Sequence, residues 1–343
     1  MGGNALKQYE TKRLDREDYF KLVAKVQAEL TKLGIESSVI AAYHNKETFG
    51  DADILVVSES LPPNWVDEIK RVFSLTEDQY VKNGSVLSIG VDNFQVDLIV
   101  TPEKELHASI VYFSFNDLGN LIGRIGHKLG IKIGHSGVSI VVRPVGRTDH
   151  IIEEIMLTDD LFEAFDVLGL DVDQFIDGFD DLEDIFKYVA SSKYFDPEIY
   201  SLEHRSYASR VRDRKRQTYN KFLRWVEETK PPAHHSFGVK SELGGYSLRM
   251  PYYEDVVLKH WPHAKPLVDA AIAKHEFNQQ FKSVYNGEIV SALTRFVGRD
   301  LGEFMAAHRS HITDDIKREW IANPALVEPA ILKFLDEFED DDE

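Results

Sequence analysis

The chain has 343 residues, enough for two or three domains with a sizeable core, and its 43% hydrophobic and 11% aromatic content is ordinary for a folded protein. No apolar run approaches the roughly 20 residues of a membrane span, and the start, Met1-Gly2-Gly3-Asn4-Ala5-Leu6, lacks a basic region followed by an apolar core, so neither export nor membrane insertion is expected and a cytoplasmic location is. The absence of cysteine excludes disulfides, thiolate metal sites and cysteine catalysis, and a net charge of −18 argues against a general nucleic-acid coat, which needs clustered lysine and arginine.

Residues 1–14 are polar and unpatterned and read as an arm. From Asp15 to Leu33 the spacing of Tyr19, Leu22, Val23, Val26, Leu30 and Leu33 predicts an amphipathic helix, which Gly34 stops. Ser37 to Ala42 is a candidate strand. A polar connection, Tyr43 to Thr48, leads into Phe49-Gly50-Asp51-Ala52-Asp53-Ile54-Leu55-Val56-Val57, a strand with Asp51 and Asp53 on one face. Pro62-Pro63 opens a helix to about Phe73. Two strands follow, Ser85–Gly90 and Phe94–Val100, with Asp92-Asn93 between them as the turn. The expected result is a small α/β or α+β layer.

Asp97 lies inside the apolar run of the last strand, where an unpaired carboxylate costs several kcal/mol to bury, so something positive is expected to meet it. A lone Asp-x-Asp is commonplace. A third aspartate on its own hydrophobic strand makes a set of hard oxygen ligands suited to Mg²⁺ or Mn²⁺. Two such ions can activate an attacking oxygen and stabilise a leaving oxygen in phosphoryl transfer.

Next comes Tyr112-Phe113-Ser114-Phe115-Asn116-Asp117-Leu118-Gly119-Asn120-Leu121-Ile122-Gly123-Arg124, then His127, Gly130 and Gly137. Together with Gly-Asp51-Ala-Asp53-Ile-Leu and Gln-Val-Asp97-Leu-Ile, in the same order, this stretch resembles the palm and thumb of family X DNA polymerases, the DNA polymerase β group of nucleotidyltransferases. The resemblance covers about residues 35–150. It implies an α+β fold: a nucleotidyltransferase palm-type mixed sheet with helices, a short thumb, and a mostly helical C-terminal half.

It further implies that Asp51 and Asp53 hold two Mg²⁺ or Mn²⁺ ions and that Asp97 holds the catalytic one and helps to deprotonate an attacking 3′-hydroxyl. Tyr112 and Phe113, at a strand end, would contact the sugar of the incoming nucleoside triphosphate. Asn120 and Arg124, four apart on a helix face, would face the nucleotide and nascent base pair. The aromatic pair also suits a core position, and Gly119, Gly123 and Gly126 also suit close helix packing. The family's Gly-Ser pair and following Arg are missing, and Ala41 to Lys46 stand there: either Asn45 and Lys46 supply the charge and donors, or the triphosphate is held differently, or the donor is not an ordinary nucleoside triphosphate. About 35 residues precede the first palm strand, too few for the family's helix-hairpin-helix and lyase region.

Residues 151–190 read as acidic helices with Leu161, Phe162, Phe165, Leu168, Phe175, Ile176, Phe179, Leu182, Ile185 and Phe186 buried. Within them, 153–184 carry thirteen acidic side chains and no basic one. Glu203 to Glu228 reads as one long helix bearing Arg205, Arg210, Arg212, Arg214, Lys215, Arg216, Lys221 and Arg224, with aromatics interleaved. It either tracks a nucleic-acid backbone or pairs with the acidic segment before it. His234-His235 lacks zinc-site spacing. Five helices are expected beyond Pro251, ending in an acidic tail.

The chain thus divides into 1–102, an N-terminal helix and palm; 103–150, a thumb-like piece; 151–230, acidic then basic helices; and 231–343, a helical region. The expected activity is metal-dependent transfer of a nucleoside monophosphate to a 3′-hydroxyl of DNA or RNA. Nucleotidylation of a small molecule or protein, and a non-catalytic binding relative, are the alternatives. Nothing in the sequence specifies an oligomeric state.

Overall fold

A computed structural model of the chain describes residues 5–143, 150–204, 207–237 and 252–340. Arg205 lies outside them. Two compact units divide at 265/266.

The first unit is built on a five-stranded mixed sheet. Its strands run in the order β2 (Ser37–Val39), β4 (Asp51–Val57), β7 (Phe94–Thr101), β6 (Val86–Val91), β5 (Tyr80–Asn83). Only β4 and β7 are parallel among the described pairs, with Asp51 opposite Gln95 and Asp53 opposite Asp97. Beyond Asp53 every residue of β4 is buried, as expected of a parallel strand covered on both faces. Helices α1 (Arg16–Lys32) and α2 (Trp65–Val72) pack on one face, where Tyr19, Leu22, Val23, Val26, Leu30 and Ile69 meet Ala52, Ile54, Val56, Val96 and Leu98. Asp15 caps α1 by accepting from the Asp18 amide, and Gly34 ends the turn at φ +73°. Leu55 and Val57 alternate to the opposite face, and α3 (Leu106–Phe113) packs against β4. At β6–β7, Asp92 and Asn93 both take positive φ, the turn geometry these two residue types tolerate.

Several expectations need correction. The arm is not loose where it is described: Leu6 and Leu14 are buried, and β1 (Leu14–Asp15) pairs with β3 (Thr48–Phe49). Tyr112 and Phe113 do not end a strand; they form the last turn of α3. The strand expected over Ser37–Ala42 stops at Val39, and β5 was not foreseen.

After α3 the chain turns through Phe115 and Asn116, both at positive φ, into α4 (Leu118–Leu129), closed by Gly130 at φ +91°. A Cβ at Gly119 would overlap the Tyr112 carbonyl, and one at Gly126 would press on Ile133, so both glycines allow close packing. Strands β8 (Ile131–Gly134), β9 (Gly137–Val142) and β10 (Glu153–Thr158) then form an antiparallel sheet. β10 corrects the all-helical reading of 151–190; only its Ile155 and Leu157 are buried, alternating with exposed Glu154 and Met156.

Helices α5 (Leu161–Leu168), α6 (Val172–Asp177) and α7 (Leu182–Ala190) follow. Asp160, Asp171 and Asp181 cap them, each carboxylate accepting an amide N–H of the first turn. Phe162, Phe165, Phe175, Phe179 and Tyr188 gather edge to face with Phe115. Ile176, expected inside, is 64% exposed. The single long basic helix is two: α8 (Tyr207–Arg214) and α9 (Gln217–Thr229), broken where Arg216 takes an extended ψ of 110° and Asn220 Nδ2 donates to the Arg214 and Arg216 carbonyls. Near the unit's end, Trp261 Nε1 donates to Glu163 at 2.6 Å and His263 meets the Leu157 carbonyl at 3.0 Å.

The second unit contains most of α10 (Ala264–Val284) and all of α11 (Gly287–Thr294), α12 (Gly298–His311), α13 (Asp314–Ala322) and α14 (Val327–Asp340). Its core joins Phe281, Tyr285, Val290, Phe304, Trp320 and Ile331. His308 stacks on Phe334 and lies 3.2 Å from the Tyr285 hydroxyl, and burial pushes it down to about 4, so it is a neutral core histidine.

Candidate metal centre

In-register parallel pairing places Asp53 beside Asp97 on the same face, with Asp51 one pleat away. Their carboxylate oxygens come within 4.8 Å of one another, and together the three can hold a metal ion. Oxygen-only donors of this kind fit Mg²⁺ or Mn²⁺.

The electrostatics are those of a site short of positive charge. Solvent reaches Asp53, yet the protein packed around its carboxyl, and the Asp51 and Asp97 charges beside it, push its pKa up to about 7. Asp97 is also raised, chiefly by desolvation, against hydrogen bonds from Ser88 and Gln95 that favour its ionised form. Lys46 is the nearby cation, drawn by Asp51 and Asp53, although its own burial lowers its pKa on balance. The side chains that hydrogen-bond Asp97 are neutral: Gln95 Nε2 lies 3.0 Å from each Asp97 oxygen.

Lys46 is held in a connection clamped from two sides. The His44 and Asn45 amides donate to the Phe179 and Asp180 carbonyls at 2.7 and 2.8 Å, and His44 Nδ1 lies 3.0 Å from Asp180. From the α3–α4 turn, Phe115 N donates to Ala41 O at 2.8 Å. Lys46 Nζ sits over the Phe49 ring at 4.6 Å and reaches Asn116 Oδ1 at 3.4 Å. Asn45 is exposed on this connection.

Arg13, given no role by the sequence pattern, bonds Thr48 Oγ1 and O and is close enough to Lys46 to lower that ammonium's pKa. Gln95 was likewise passed over; its place two residues before Asp97 on one strand was the available signal.

Asn120 and Arg124 do share one helix, α4. Arg124 Nη2 makes a long 3.5 Å bond to Ile199 O, and Asn120 keeps a buried Nδ2 with no partner among the described residues. Tyr112 is flanked by Arg216, Arg212, Asp117 and Lys132, and Phe113 stacks on His135 at 5.7 Å. The aromatic pair is thus tied to the α3–α4 corner, which meets the aspartates through Asn116 and Lys46. Arg216 Nη1 binds Asp117 at 2.5 Å and Arg212 Nε lies 3.4 Å from buried Asp213, while Arg210 is partly exposed and Arg214 and Lys215 are exposed. His234 and His235 bond Ser192 O and Tyr252, so neither belongs to the centre.

No protein-family model matches this chain, and no curated protein matches it. Among the described residues, no helix is long and apolar enough to cross a membrane.

Proposed function

We propose that this protein is a divalent-metal-dependent nucleotidyltransferase, similar to family X DNA polymerases over its sheet and the helices that follow. It would transfer a nucleoside monophosphate from a (d)NTP to a 3′-hydroxyl of DNA or RNA, with pyrophosphate leaving. The observation that carries the reading is the convergence of Asp51, Asp53 and Asp97 from two in-register parallel strands. The matching order of the remaining motifs supports it.

Asp51 and Asp53 are the residues to hold two Mg²⁺ or Mn²⁺ ions, with Asp97 sharing one of them. Such ions, when bound, supply activation of the attacking oxygen and neutralisation of charge on the leaving pyrophosphate. The chain's own groups do the rest. Asp97 would help to take up the proton of the attacking hydroxyl. Lys46, with Asn45 and with Arg13 from the arm, takes the place of the missing Gly-Ser and Arg at the triphosphate. Asn120, with its unpartnered buried amide, offers a donor to a bound base, since such a group gains most when a ligand satisfies it. Tyr112 and Phe113 would line the sugar, with Arg124 beside the base pair. Such work belongs inside the cell, where nucleoside triphosphates are made.

A second reading has its own support. Arg216 and Arg212 are partly engaged by Asp117 and Asp213, leaving Arg210, Arg214 and Lys215 as a smaller surface for a phosphate backbone. This favours a small-molecule or protein acceptor. One experiment separates the two: label transfer from each α-labelled NTP and dNTP, with Mg²⁺ or Mn²⁺, to primed DNA, single-stranded DNA, tRNA or no polymer, comparing wild type with Asp97→Ala. Incorporation into a nucleic acid that Asp97→Ala abolishes supports the first reading. Label on protein or a small acceptor supports the second, and no Asp97-dependent transfer at all refutes both.

A further inference from the structure

Gln95 is 2% exposed, and a buried amide needs both its ends satisfied. Its Nε2 donates to both oxygens of Asp97, and its Oε1 accepts from the backbone N–H of Ala5 at 2.9 Å. These two contacts fix the direction of the amide. Turned end for end, it would set its oxygen against a carboxylate and its NH₂ against an N–H, and neither arrangement makes a hydrogen bond. A backbone donor ninety residues away in sequence therefore decides which end of Gln95 faces Asp97.

The segment carrying that donor is strapped down along its length. Leu6 is 4% exposed. The Tyr9 ring occupies the space over Gly90, where a Cβ would overlap it, and Gly90 is the partner of Gln95 across the β6–β7 ladder. The Tyr9 hydroxyl donates to Asn93 Oδ1 at 2.9 Å and accepts from Asn93 N at 3.0 Å, and Lys12 N donates to Asn93 O at 2.8 Å. Arg13 then grips Thr48, and Leu14–Asp15 pair with Thr48–Phe49 immediately before Asp51. The arm thus bonds Gln95 on the strand that carries Asp97, and pairs with the short strand that leads through Gly50 into the one that carries Asp51 and Asp53.

We propose that residues 5–15 are a positioning strap for the metal centre and that Gln95 is the positioning residue through which the strap orients the Asp97 carboxylate. The inference rests on the reading that the three aspartates bind a divalent cation, and on no particular acceptor. Partners that orient a ligating carboxylate typically change metal affinity 10- to 100-fold when removed.

The test is Mn²⁺ binding by calorimetry, with the electron paramagnetic resonance spectrum of the bound ion recorded alongside, for wild type, Gln95→Leu, Ala5→Pro and Ala5→Gly. Proline deletes the N–H that orients Gln95 while leaving every core side chain in place, and glycine restores the N–H. The expected result is roughly tenfold weaker Mn²⁺ binding and a broadened resonance in both Gln95→Leu and Ala5→Pro, with Ala5→Gly like wild type. Thermal melting confirms that the variants are folded, and Ala5→Pro decides the matter should Gln95→Leu not fold. If wild type binds Mn²⁺ and Ala5→Pro binds it equally tightly with an unchanged spectrum, the strap is refuted and the cation reading stands. If wild type binds none, the cation reading itself fails and the inference falls with it.

Discussion

Replacing Asp53 with asparagine removes the charge that the centre tolerates least, and without metal the variant should be more stable than the wild type. The sign follows from the raised pKa. The folded state holds the Asp53 proton more tightly than the unfolded chain, so this residue costs nothing below 3.8, destabilises the fold increasingly as pH rises toward about 7, and exerts its full effect above that. Taken whole, the interval is worth about 4 kcal/mol at 1.36 kcal/mol per pH unit. Solvent reaches the carboxylate, and screening reduces this to about 1–2 kcal/mol. For a unit spanning Met1–Lys265 that is a rise of about 2–4 °C in its melting transition. The assay is calorimetric melting of both proteins in chelator at pH 4, 6 and 8. The variant should gain at pH 8 and lose that advantage by pH 4, and Mn²⁺ should stabilise only the wild type. An Asp53→Asn protein no more stable than wild type at pH 8, or one whose gain is independent of pH, would refute the electrostatic account.

The same carboxyl makes cation binding pH-dependent: Mn²⁺ must displace the Asp53 proton, so affinity measured by titration calorimetry should rise up to about tenfold per pH unit below pH 7 and level off above it. Gly119→Ala drives a methyl into the Tyr112 carbonyl and should cost about 1–3 kcal/mol in urea unfolding, lowering the stability of the α3–α4 corner without touching the aspartates. Arg216→Ala removes the partner of Asp117, whose side chain is 18% exposed, and should cost about 1–2 kcal/mol by the same measurement, with Asp117→Asn recovering part of the loss in a double-mutant cycle. Phe304→Ala, in the core of the second unit, should cost about 3–5 kcal/mol in that unit's transition while leaving Mn²⁺ affinity unchanged.

Where pattern and packing coincide, the sequence was legible. Helix α1 falls within a residue of its expected limits because its apolar spacing, its Asp15 cap and its Gly34 stop all agree. Strands β4 and β7 were legible as apolar runs with charges at fixed places, so the sequence alone brings the three aspartates together. β10 was missed because alternation at Ile155 and Leu157 is only two buried residues long and sits in an acidic stretch. The kink at Arg216 carries neither glycine nor proline, and its cause, a side-chain amide reaching back from Asn220 together with an ion pair to Asp117, is a tertiary matter. The roles of Arg13 and Gln95 were hidden for the same reason. Arg13 depends on Thr48, 35 residues on, and Gln95 on the Ala5 amide, 90 residues back; only the two-residue spacing of Gln95 from Asp97 could be read locally.

The caps of α5, α6 and α7 change how the charge of this protein should be understood. Asp160, Asp171 and Asp181 are each committed to amide groups within their own helix, so they form part of the secondary structure rather than a field projected at partners. Anyone wishing to recharge the protein, to improve its grip on a polyanion or alter its solubility, has freedom at exposed Asp173 and Asp177 and none at these three. Uniform replacement of acidic residues by lysine would melt helix starts before it remodelled any surface.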